Sequence, residues 1–260
     1  MAARGFICLM YHELERPGRP LCQSDPGYVR YILPELRFRD QMRWLRSEGW
    51  RGMSVGEALT SFQPGGIVIT FDDGCETDLI AAAPILTEAG FHATFYVTAG
   101  FLNKPGYMSS AQLRELSCAG FEIGCHSMSH AYLNDLFPQQ LEVEIVAARS
   151  KLEDILGGKV EHFSCPGGRY DQRTLTLAKQ AGYRSVANSR ARANPASADP
   201  FRLSRIAITR EVDQTAFKHI CNGDSLWKMG LGESLRGSAR RALGNVLYDR
   251  VRNVLFRLSS

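Results

Sequence analysis

Short, continuous apolar runs alternate along the chain with longer stretches in which apolar residues recur every three or four positions. The run Ile67–Gly74 is the clearest of the short ones, because apolar and β-branched residues lead into two carboxylates and a glycine. Short β-rich runs bounded by glycine are typical of buried strands. The same pattern predicts strands at Phe6–Tyr11, Ala93–Thr98, Phe121–Cys125, Ser185–Ala187 and Leu203–Thr209, and one beginning at Phe163.

Helical spacing and capping signals fill most of the sequence between these runs. Ser54, with Glu57 three residues later, forms a capping box for a helix over Ser54–Ser61. The other predicted helices are Arg39–Glu48, Leu79–Ala89 with an interruption at Pro84, Ser109–Ala119, Gln139–Leu156 and Thr174–Ala181. The segment Leu14–Pro34 is rich in Pro, Gly and Arg and predicts a long surface loop. This alternation indicates an α/β protein with a parallel sheet, either open or closed into a barrel.

The C-terminal segment departs from this alternation, so we predict a main domain over 1–222 and a helical extension over 223–260. From Leu226 onward, seven basic residues stand against Glu233 and Asp249, and apolar residues recur at helical spacing. The pattern predicts a basic amphipathic helix or helical hairpin. Two interpretations remain open: the helix packs on the main domain with a solvated basic face, or residues 226–260 contact an anionic membrane surface.

Composition narrows the class of protein. A chain of 260 residues can bury one sizeable core, and its net charge of +4 is too small to favour nucleic acid as a partner. No run approaches the roughly 18 apolar residues of a membrane span. The run Phe6–Tyr11 is shorter than a signal-peptide core of about 7–15 residues, so we expect a cytoplasmic protein that is not exported. Any membrane contact would then be peripheral and on the inner face.

The seven cysteines are odd in number and lack CxxC spacing, which favours free thiols over a disulfide framework. Cys75, Cys125 and Cys165 lie within a few residues of the motifs described below. Buried filling of the core is the simplest interpretation of these three thiols. A redox role or a second metal site is the alternative.

The carboxylate pair Asp72-Asp73 lies at the end of the Ile67–Gly74 strand, where sites form in parallel α/β proteins. Two adjacent carboxylates cannot both be buried without partners, because burying an unpaired charge is too costly. One of them can bind a metal while the other transfers protons. The alternative is a turn in which aspartate merely ends the strand.

A histidine pair follows another predicted strand, so it lies at the same edge of the sheet. His126 and His130 are four residues apart, and a helical turn would place both imidazoles on one face. One aspartate with two histidines is a common catalytic set for Zn²⁺ and similar divalent ions, with Co²⁺ or Ni²⁺ as alternatives. Structural histidines are the competing interpretation here, and we assign His92, His162 and His219 to structure or surface.

These two motifs resemble those of the NodB-like polysaccharide deacetylases, carbohydrate esterase family 4. Thr70–Gly74 reads TFDDG and His126–His130 reads H-S-x-x-H, and the resemblance covers roughly residues 6–210. It implies a distorted (β/α)7 barrel and metal-dependent removal of acetyl groups from N-acetylated sugars of a polysaccharide or lipid-linked glycan precursor. It also implies that Asp73, His126 and His130 hold the metal and that Asp72 is the general base.

The third motif of the family is usually R-x-P-x-G, but the chain has Ser164-Cys165-Pro166-Gly167-Gly168. The resemblance implies that the backbone N–H of Gly167, after Pro166, helps hold the oxyanion. The arginine that braces the base is missing from this motif. Arg205, near the end of a late strand, is a possible substitute, and a solvated charge at a strand end is the alternative.

The late L-x-H motif, which gives the family its general acid, is also absent, because the equivalent strand carries Leu203, Ser204 and Arg205. Some branches instead have M-Y-H on the first strand, as Met10-Tyr11-His12 is here. First and last strands are neighbours in a closed barrel, so His12 can take the role of the acid. A histidine that merely packs at the strand end is the alternative.

The sequence therefore predicts a polysaccharide deacetylase-like hydrolase. A related enzyme of the same fold acting on another C–N bond, as allantoinases and imidases do, is one rival. A catalytically inactive glycan-binding protein is the other. The identity of the glycan, the metal and the oligomeric state remain open.

Overall fold

A computed structural model of the protein describes residues 5–62, 65–224 and 226. A parallel sheet forms its centre, and the strands are β1 (Cys8–Tyr11), β2 (Leu14–Glu15), β3 (Leu33–Pro34), β4 (Arg51–Met53), β5 (Gly66–Asp73), β6 (Thr94–Val97), β7 (Glu122–Cys125), β8 (His162–Ser164), β9 (Ser185–Ala187) and β10 (Ile206–Ala207). The strand order is β10-β1-β5-β6-β7-β8-β9, while β4 pairs with the beginning of β5 and β2 pairs with β3. Every strand pair is parallel.

The sheet curls until its two ends nearly meet. Leu203, just before β10, forms a parallel bridge with Ala187 at the end of β9. The amide of Leu203 donates to the Val186 carbonyl at 3.0 Å, and its own carbonyl accepts from Asn188 at 2.8 Å. The predicted distorted (β/α)7 barrel is thereby confirmed, and the first and last strands are neighbours as expected, because β1 pairs with β10.

Helices cover the outside of the barrel. They are α1 (Pro26–Val29), α2 (Glu35–Ser47), α3 (Val55–Ser61), α4 (Ala83–Ala89), α5 (Ser110–Cys118), α6 (Pro138–Glu142), α7 (Ala148–Leu156), α8 (Gln172–Gln180) and α9 (Gln214–Asn222). The predicted capping box at Ser54 is present, and Ser109 caps α5 in the same way. A π-helical segment, Asp78–Ala82, precedes α4, and another, Val143–Ala147, joins α6 to α7.

Two parts of the fold differ from the sequence prediction. The segment Leu14–Pro34 is not a loop throughout, because β2 and β3 pair with each other and α1 lies between them. Helix α9 was not predicted. The proposed extension 223–260 lies almost entirely outside the described residues, so its helical structure stays a prediction. Within the described part of the chain, no helix has the length and apolarity to cross a bilayer.

Alternation along β5 directs its side chains to the two faces of the sheet. Ile67, Ile69 and Phe71 pack in the large core between the sheet and the helices, where the ring of Phe71 stacks on Tyr11 at 5.3 Å. Val68 instead joins a smaller cluster that includes residues of β1, β6 and β9. Thr70 and Asp72 share the face of Val68, so Asp72 points into the interior of the barrel.

Candidate active site

An ion pair in the barrel interior fixes the Asp72 carboxylate. The guanidinium of Arg205 donates to both of its oxygens, at 2.7 and 2.8 Å, and each side chain is almost fully buried. Burial alone would raise the pKa of Asp72, but the charge and hydrogen bonds of Arg205 hold that pKa well below its usual value. The carboxylate is therefore ionised at neutral pH. Arg205 is not a solvated charge at a strand end, and that alternative is wrong.

Arg205 has further partners that hold its planar head. It donates to the hydroxyls of Thr70 at 3.2 Å and Ser164 at 2.6 Å and to the Asn188 carbonyl at 3.1 Å, and it lies over the ring of Tyr96. Ser164 stands where the third motif of the resembled family has its arginine. A small hydroxyl at that position thus leaves room for the guanidinium of Arg205, which comes from the residue just before β10.

Three potential metal ligands meet at the rim of the barrel above this ion pair. The Oδ1 atom of Asp73 lies 3.6 Å from Nε2 of His126 and 3.4 Å from Nε2 of His130. All three ligand atoms lie within 4.8 Å of one another. Asp73 Oδ1 is buried and has no hydrogen-bond partner among the described residues. Such an orphaned oxygen between two imidazoles fits a divalent cation.

The tautomer of His126 suits ligation. Its Nδ1–H donates to the Ser164 carbonyl at 2.9 Å, which leaves the Nε2 lone pair directed at Asp73. Burial lowers the pKa of His126 to about 4, so its imidazole is neutral near pH 7. His130 is about a third exposed, whereas Asp73 and His126 are buried, so the site opens to solvent on the His130 side.

The two histidines do not lie on a helical turn, which corrects the sequence prediction. Ser127 and His130 both have left-handed backbone conformations, with φ of 68° and 63°. The buried carboxylate of Glu144 holds this loop, because it accepts from the amides of Met128 at 2.9 Å and Ser129 at 2.8 Å and from the Ser129 hydroxyl. Local spacing could not reveal a carboxylate that lies beyond the motif.

His12 lies at the same rim, directly after β1. Its ring packs 4.9 Å from that of Tyr31, and its Nδ1 atom is buried without a hydrogen-bond partner in the described chain. Burial lowers the pKa of His12, while the nearby negative charges of Asp73 and Asp72 act in the opposite direction. The imidazole is therefore neutral at pH 7, and it lies within electrostatic reach of the carboxylate pair.

Pro166 and Gly167 form a tight turn at the end of β8. Gly167 has φ of 59°, and a Cβ atom there would lie 2.8 Å from the ring of Tyr132. Only glycine fits this turn without displacing the ring, which in turn packs under the guanidinium of Arg169. The predicted oxyanion residues thus lie beside Ser164, the carbonyl partner of His126. Sequence reasoning named Ser164 only as part of the third motif and missed its contacts with Arg205 and His126. It missed Glu144 and the aromatic neighbours Tyr31 and Tyr132 altogether.

The remaining singled-out residues lie in ordinary surroundings, with one exception. Cys125 and Cys165 are fully buried, and burial raises the pKa of Cys125 to about 12, as for a filler thiol. His162 lies away from the site, where its Nδ1 atom is 2.8 Å from the Ser185 hydroxyl and hydrogen-bonds to it. Cys75 is the exception, because the Tyr28 hydroxyl contacts its sulfur at 3.4 Å beside further polar groups.

Comparison with known proteins gives consistent results. Residues 61–186 match the family model for polysaccharide deacetylase. Protein YxkH of Bacillus subtilis is 26% identical over 215 residues, which cover 80% of this chain and 73% of that protein. A peptidoglycan-N-acetylglucosamine deacetylase of Bacillus cereus is 31% identical over 121 residues, 46% of this chain. That match spans about half of the length of the Bacillus cereus protein, 54%.

Solved structures share the fold at low sequence identity. The deacetylase PplD of Streptococcus pyogenes, in complex with acetate, superposes with a TM-score of 0.73 at 22% identity, covering 84% of this chain and 98% of that one. IcaB from Ammonifex degensii gives a TM-score of 0.67 at 23% identity, over 85% of this chain and 97% of that one. These likenesses and the match over 61–186 agree with the two motifs. Residues 61–186 therefore form a domain that matches the polysaccharide deacetylase family, in a chain that shares the fold of these deacetylase structures.

Proposed function

We propose that this protein is a metal-dependent hydrolase that removes acetyl groups from N-acetylated sugars of a polysaccharide or a lipid-linked glycan precursor. The observation that carries the proposal is that a possible metal-ligand set and an ionised carboxylate lie side by side at one rim of the barrel. Asp73, His126 and His130 form a ligand set, and the adjacent Asp72 is held ionised by Arg205. The Bacillus cereus relative, a deacetylase of peptidoglycan N-acetylglucosamine by name, supports the substrate class.

Amide hydrolysis requires a polarised carbonyl, an activated water and a protonated leaving amine. A divalent cation held by Asp73, His126 and His130, which we propose is zinc, would polarise the carbonyl and lower the pKa of the attacking water. Asp72 accepts the proton of that water, and Arg205 keeps its carboxylate oriented. The backbone N–H of Gly167 donates to the developing oxyanion.

The leaving amine receives its proton from His12. Because burial leaves this imidazole neutral at rest, it must take up a proton during turnover before it can donate one. Its Nδ1 atom has no competing protein partner among the described residues, so it is free to carry that proton or to contact substrate. Its position directly after β1 supplies an acid where the last strand has none.

The partial exposure of His130 favours an extended substrate over a small one. A soluble ureide, as in the allantoinase-like alternative, requires a closed pocket around the whole molecule. Here the metal ligands reach solvent on the His130 side, where a glycan chain can extend past the site. We further propose a cytoplasmic location, in keeping with the free cysteines of the described chain.

Metal analysis combined with an acetate-release assay tests the proposal. The purified chain should bind one divalent ion at this site and release acetate from chito-oligosaccharides or from a lipid-linked amino sugar. His130→Ala should lose that ion and the activity together, whereas His92→Ala, at an exposed histidine, should lose neither. Glycan binding without acetate release would favour the inactive binding protein, and hydrolysis of allantoin alone would favour the other hydrolase.

A further inference from the structure

A second group of potential ligands lies beside the proposed catalytic metal site. The carboxylate of Glu13 and the thiols of Cys22 and Cys75 have ligand atoms that all lie within 4.8 Å of one another. Glu13 and Cys75 are buried, and Cys22 is partly buried. None of the three belongs to the motifs that define the catalytic site.

Three separate segments bring these side chains together. Cys75 follows Gly74 at the end of β5 and bridges to Tyr107. Cys22 comes from the segment between β2 and α1, and its thiol donates to the Gly106 carbonyl at 3.0 Å. Glu13 lies between β1 and β2. The cluster therefore joins the segment after β2 to the same strand end that carries the catalytic carboxylates.

The carboxylate of Glu13 is held in place by its own partners. It accepts from the amide of Cys22 at 3.0 and 3.1 Å, from the Tyr28 hydroxyl at 3.2 Å and from Arg19 at 3.4 Å. Ligating carboxylates in metal sites are themselves hydrogen-bonded in this manner, since these contacts fix the ligand orientation. Cys75 shares the Tyr28 hydroxyl, at 3.4 Å.

An independent observation at the same place points to a cation. Asp78 is 1% exposed, and neither of its carboxylate oxygens has a hydrogen-bond partner among the described residues. The amide of Asp78 donates to the Cys75 carbonyl at 3.0 Å, so this residue lies beside the cluster. Burial raises the pKa of its carboxyl group, and the nearby charges of Asp73, Cys22 and Glu13 raise it further. A buried carboxyl without any partner is costly, and a bound cation would remove that cost.

We propose that Glu13, Cys22 and Cys75 form a second divalent-metal site selective for a thiophilic ion such as Zn²⁺, and that the Asp78 carboxylate, which lies outside the 4.8 Å group, completes it as the fourth ligand when the ion binds. Two sulfurs and two carboxylate oxygens suit tetrahedral zinc, and thiolates select it over Mg²⁺ or Ca²⁺. Four protein ligands leave no open position, so the site is structural. It ties the segment after β2 to the rim next to Asp73.

Cobalt substitution tests the proposal, because only this site offers sulfur ligands. Co²⁺ added to the metal-free, reduced chain should bind in two equivalents and give a thiolate-to-cobalt charge-transfer absorption. Cys22→Ser and Cys75→Ser should each abolish that absorption and reduce the bound Co²⁺ from two equivalents to one. Cys118→Ser, at an exposed cysteine, is the matched control and should retain the absorption and both equivalents of Co²⁺.

A second measurement separates this site from the catalytic one. In a His130→Ala background the charge-transfer absorption should persist, and Zn²⁺ should still raise the thermal unfolding midpoint, an effect that Cys22→Ser removes. Asp78→Asn should weaken cobalt binding at least 10-fold without abolishing the absorption. Cobalt binding without any thiolate absorption in the reduced wild-type chain would overturn the proposal, whatever the catalytic site does. A Cys22–Cys75 disulfide that blocks metal uptake and cannot be reduced without unfolding would also overturn it.

Discussion

Two opposing effects act on the carboxyl group of Asp72. Burial disfavours its charge, whereas the bidentate contact of Arg205 favours it, and the second effect prevails, so the pKa is lowered. A lowered pKa means that the pair contributes stability above the unfolded pKa of about 4, and that this contribution is lost as pH falls through the lower folded value. At neutral pH the ion pair is intact and Asp72 is ionised, as the proposed role of base requires.

Replacing Arg205 with Met should therefore damage both folding and chemistry. Met keeps the length of the side chain but leaves Asp72 buried without its cation, which we expect to lower the free energy of unfolding by about 3–5 kcal/mol. The pKa of Asp72 should rise and kcat should fall on the order of 10²-fold. Urea unfolding and acetate release measure the two effects.

The double variant Asp72→Asn/Arg205→Met is the control for this prediction. It removes both charges, so most of the lost stability should return while activity stays low. Asp72→Asn alone should keep the metal and lose most of the rate. An Arg205→Met enzyme with wild-type turnover would contradict the assignment of Arg205 as the residue that orients the base.

His12 allows a test that depends on the leaving group. His12→Ala should leave metal content and fold intact and slow N-acetyl sugar hydrolysis on the order of 10²-fold. Phenyl or alkyl acetates should be slowed much less, because their leaving groups need less protonation. Parallel rate measurements on an amide and an ester decide the matter, with His92→Ala as the control. Equal slowing of both substrates would assign His12 a structural role at the strand end.

At the scale of the element, the sequence was most informative where the determinants are local. Strand β5 and helices α3 and α5 follow from an apolar run and from capping serines that bond within their own first turn. The same holds for the positions of Asp73 and His126, since the ends of parallel strands share one edge. These features needed no knowledge of contacts between distant segments.

Other features could not be predicted because their determinants are distant in sequence. The pairing of β2 with β3 depends on a partner 19 residues away, from Leu14 to Leu33. The conformation of the histidine loop depends on Glu144, whose hydrogen bonds to Met128 and Ser129 override the helical spacing of the motif. A sequence pattern that spans only a few neighbouring residues carries no information about either contact.

Glu144 offers a prediction about this loop. In the native chain both carboxylate oxygens of Glu144 accept hydrogen bonds from Met128 and Ser129. In Glu144→Gln one of these oxygens is replaced by an NH₂ group, which cannot accept, so at least one hydrogen bond is lost. We expect the metal affinity of the His126–His130 site to fall by about 10- to 100-fold, as for other residues that orient ligands. Competition with a metal chelator measures this affinity.

Glu142→Gln is a suitable comparison, because Glu142 is two residues earlier on the same helical stretch and is exposed. It should leave metal affinity unchanged. Metal affinity that is equal in the two variants would show that the loop holds its conformation without the carboxylate of Glu144.

At the scale of the whole molecule, closure of the barrel explains how the site tolerates altered motifs. Leu9 on β1 pairs with Ile206 on β10 and with Ile69 on β5, so Arg205 and Asp72 lie across one strand from each other. The guanidinium of Arg205, from the residue before β10, can thus take the place of an arginine side chain at position 164 on β8, where this chain has the smaller Ser164. Motif spacing along the chain does not contain this relation, although the sequence alone indicated Arg205 as a possible substitute.

Charge is distributed unevenly over the whole chain. The residues from 226 onward carry seven basic and two acidic side chains, an excess of five positive charges, whereas the entire chain has a net charge of only +4. The preceding residues are therefore close to neutral. Since all of these residues except Leu226 lie outside the described structure, their role is argued from sequence alone. We propose that they contact an anionic membrane that holds a lipid-linked substrate.

Vesicle co-sedimentation of the full chain and of a chain ending at residue 225 tests this proposal. Basic residues near an anionic surface contribute roughly 1 kcal/mol each, so the full chain should bind vesicles containing phosphatidylserine much more tightly than the shortened one. Binding should weaken with added salt and should be absent on neutral vesicles, because the attraction is electrostatic. The shortened chain should still release acetate from a soluble chito-oligosaccharide, since every proposed catalytic residue precedes position 226. Equal binding of both chains would mean that the basic residues serve another purpose, such as packing against the barrel with their charges in solvent.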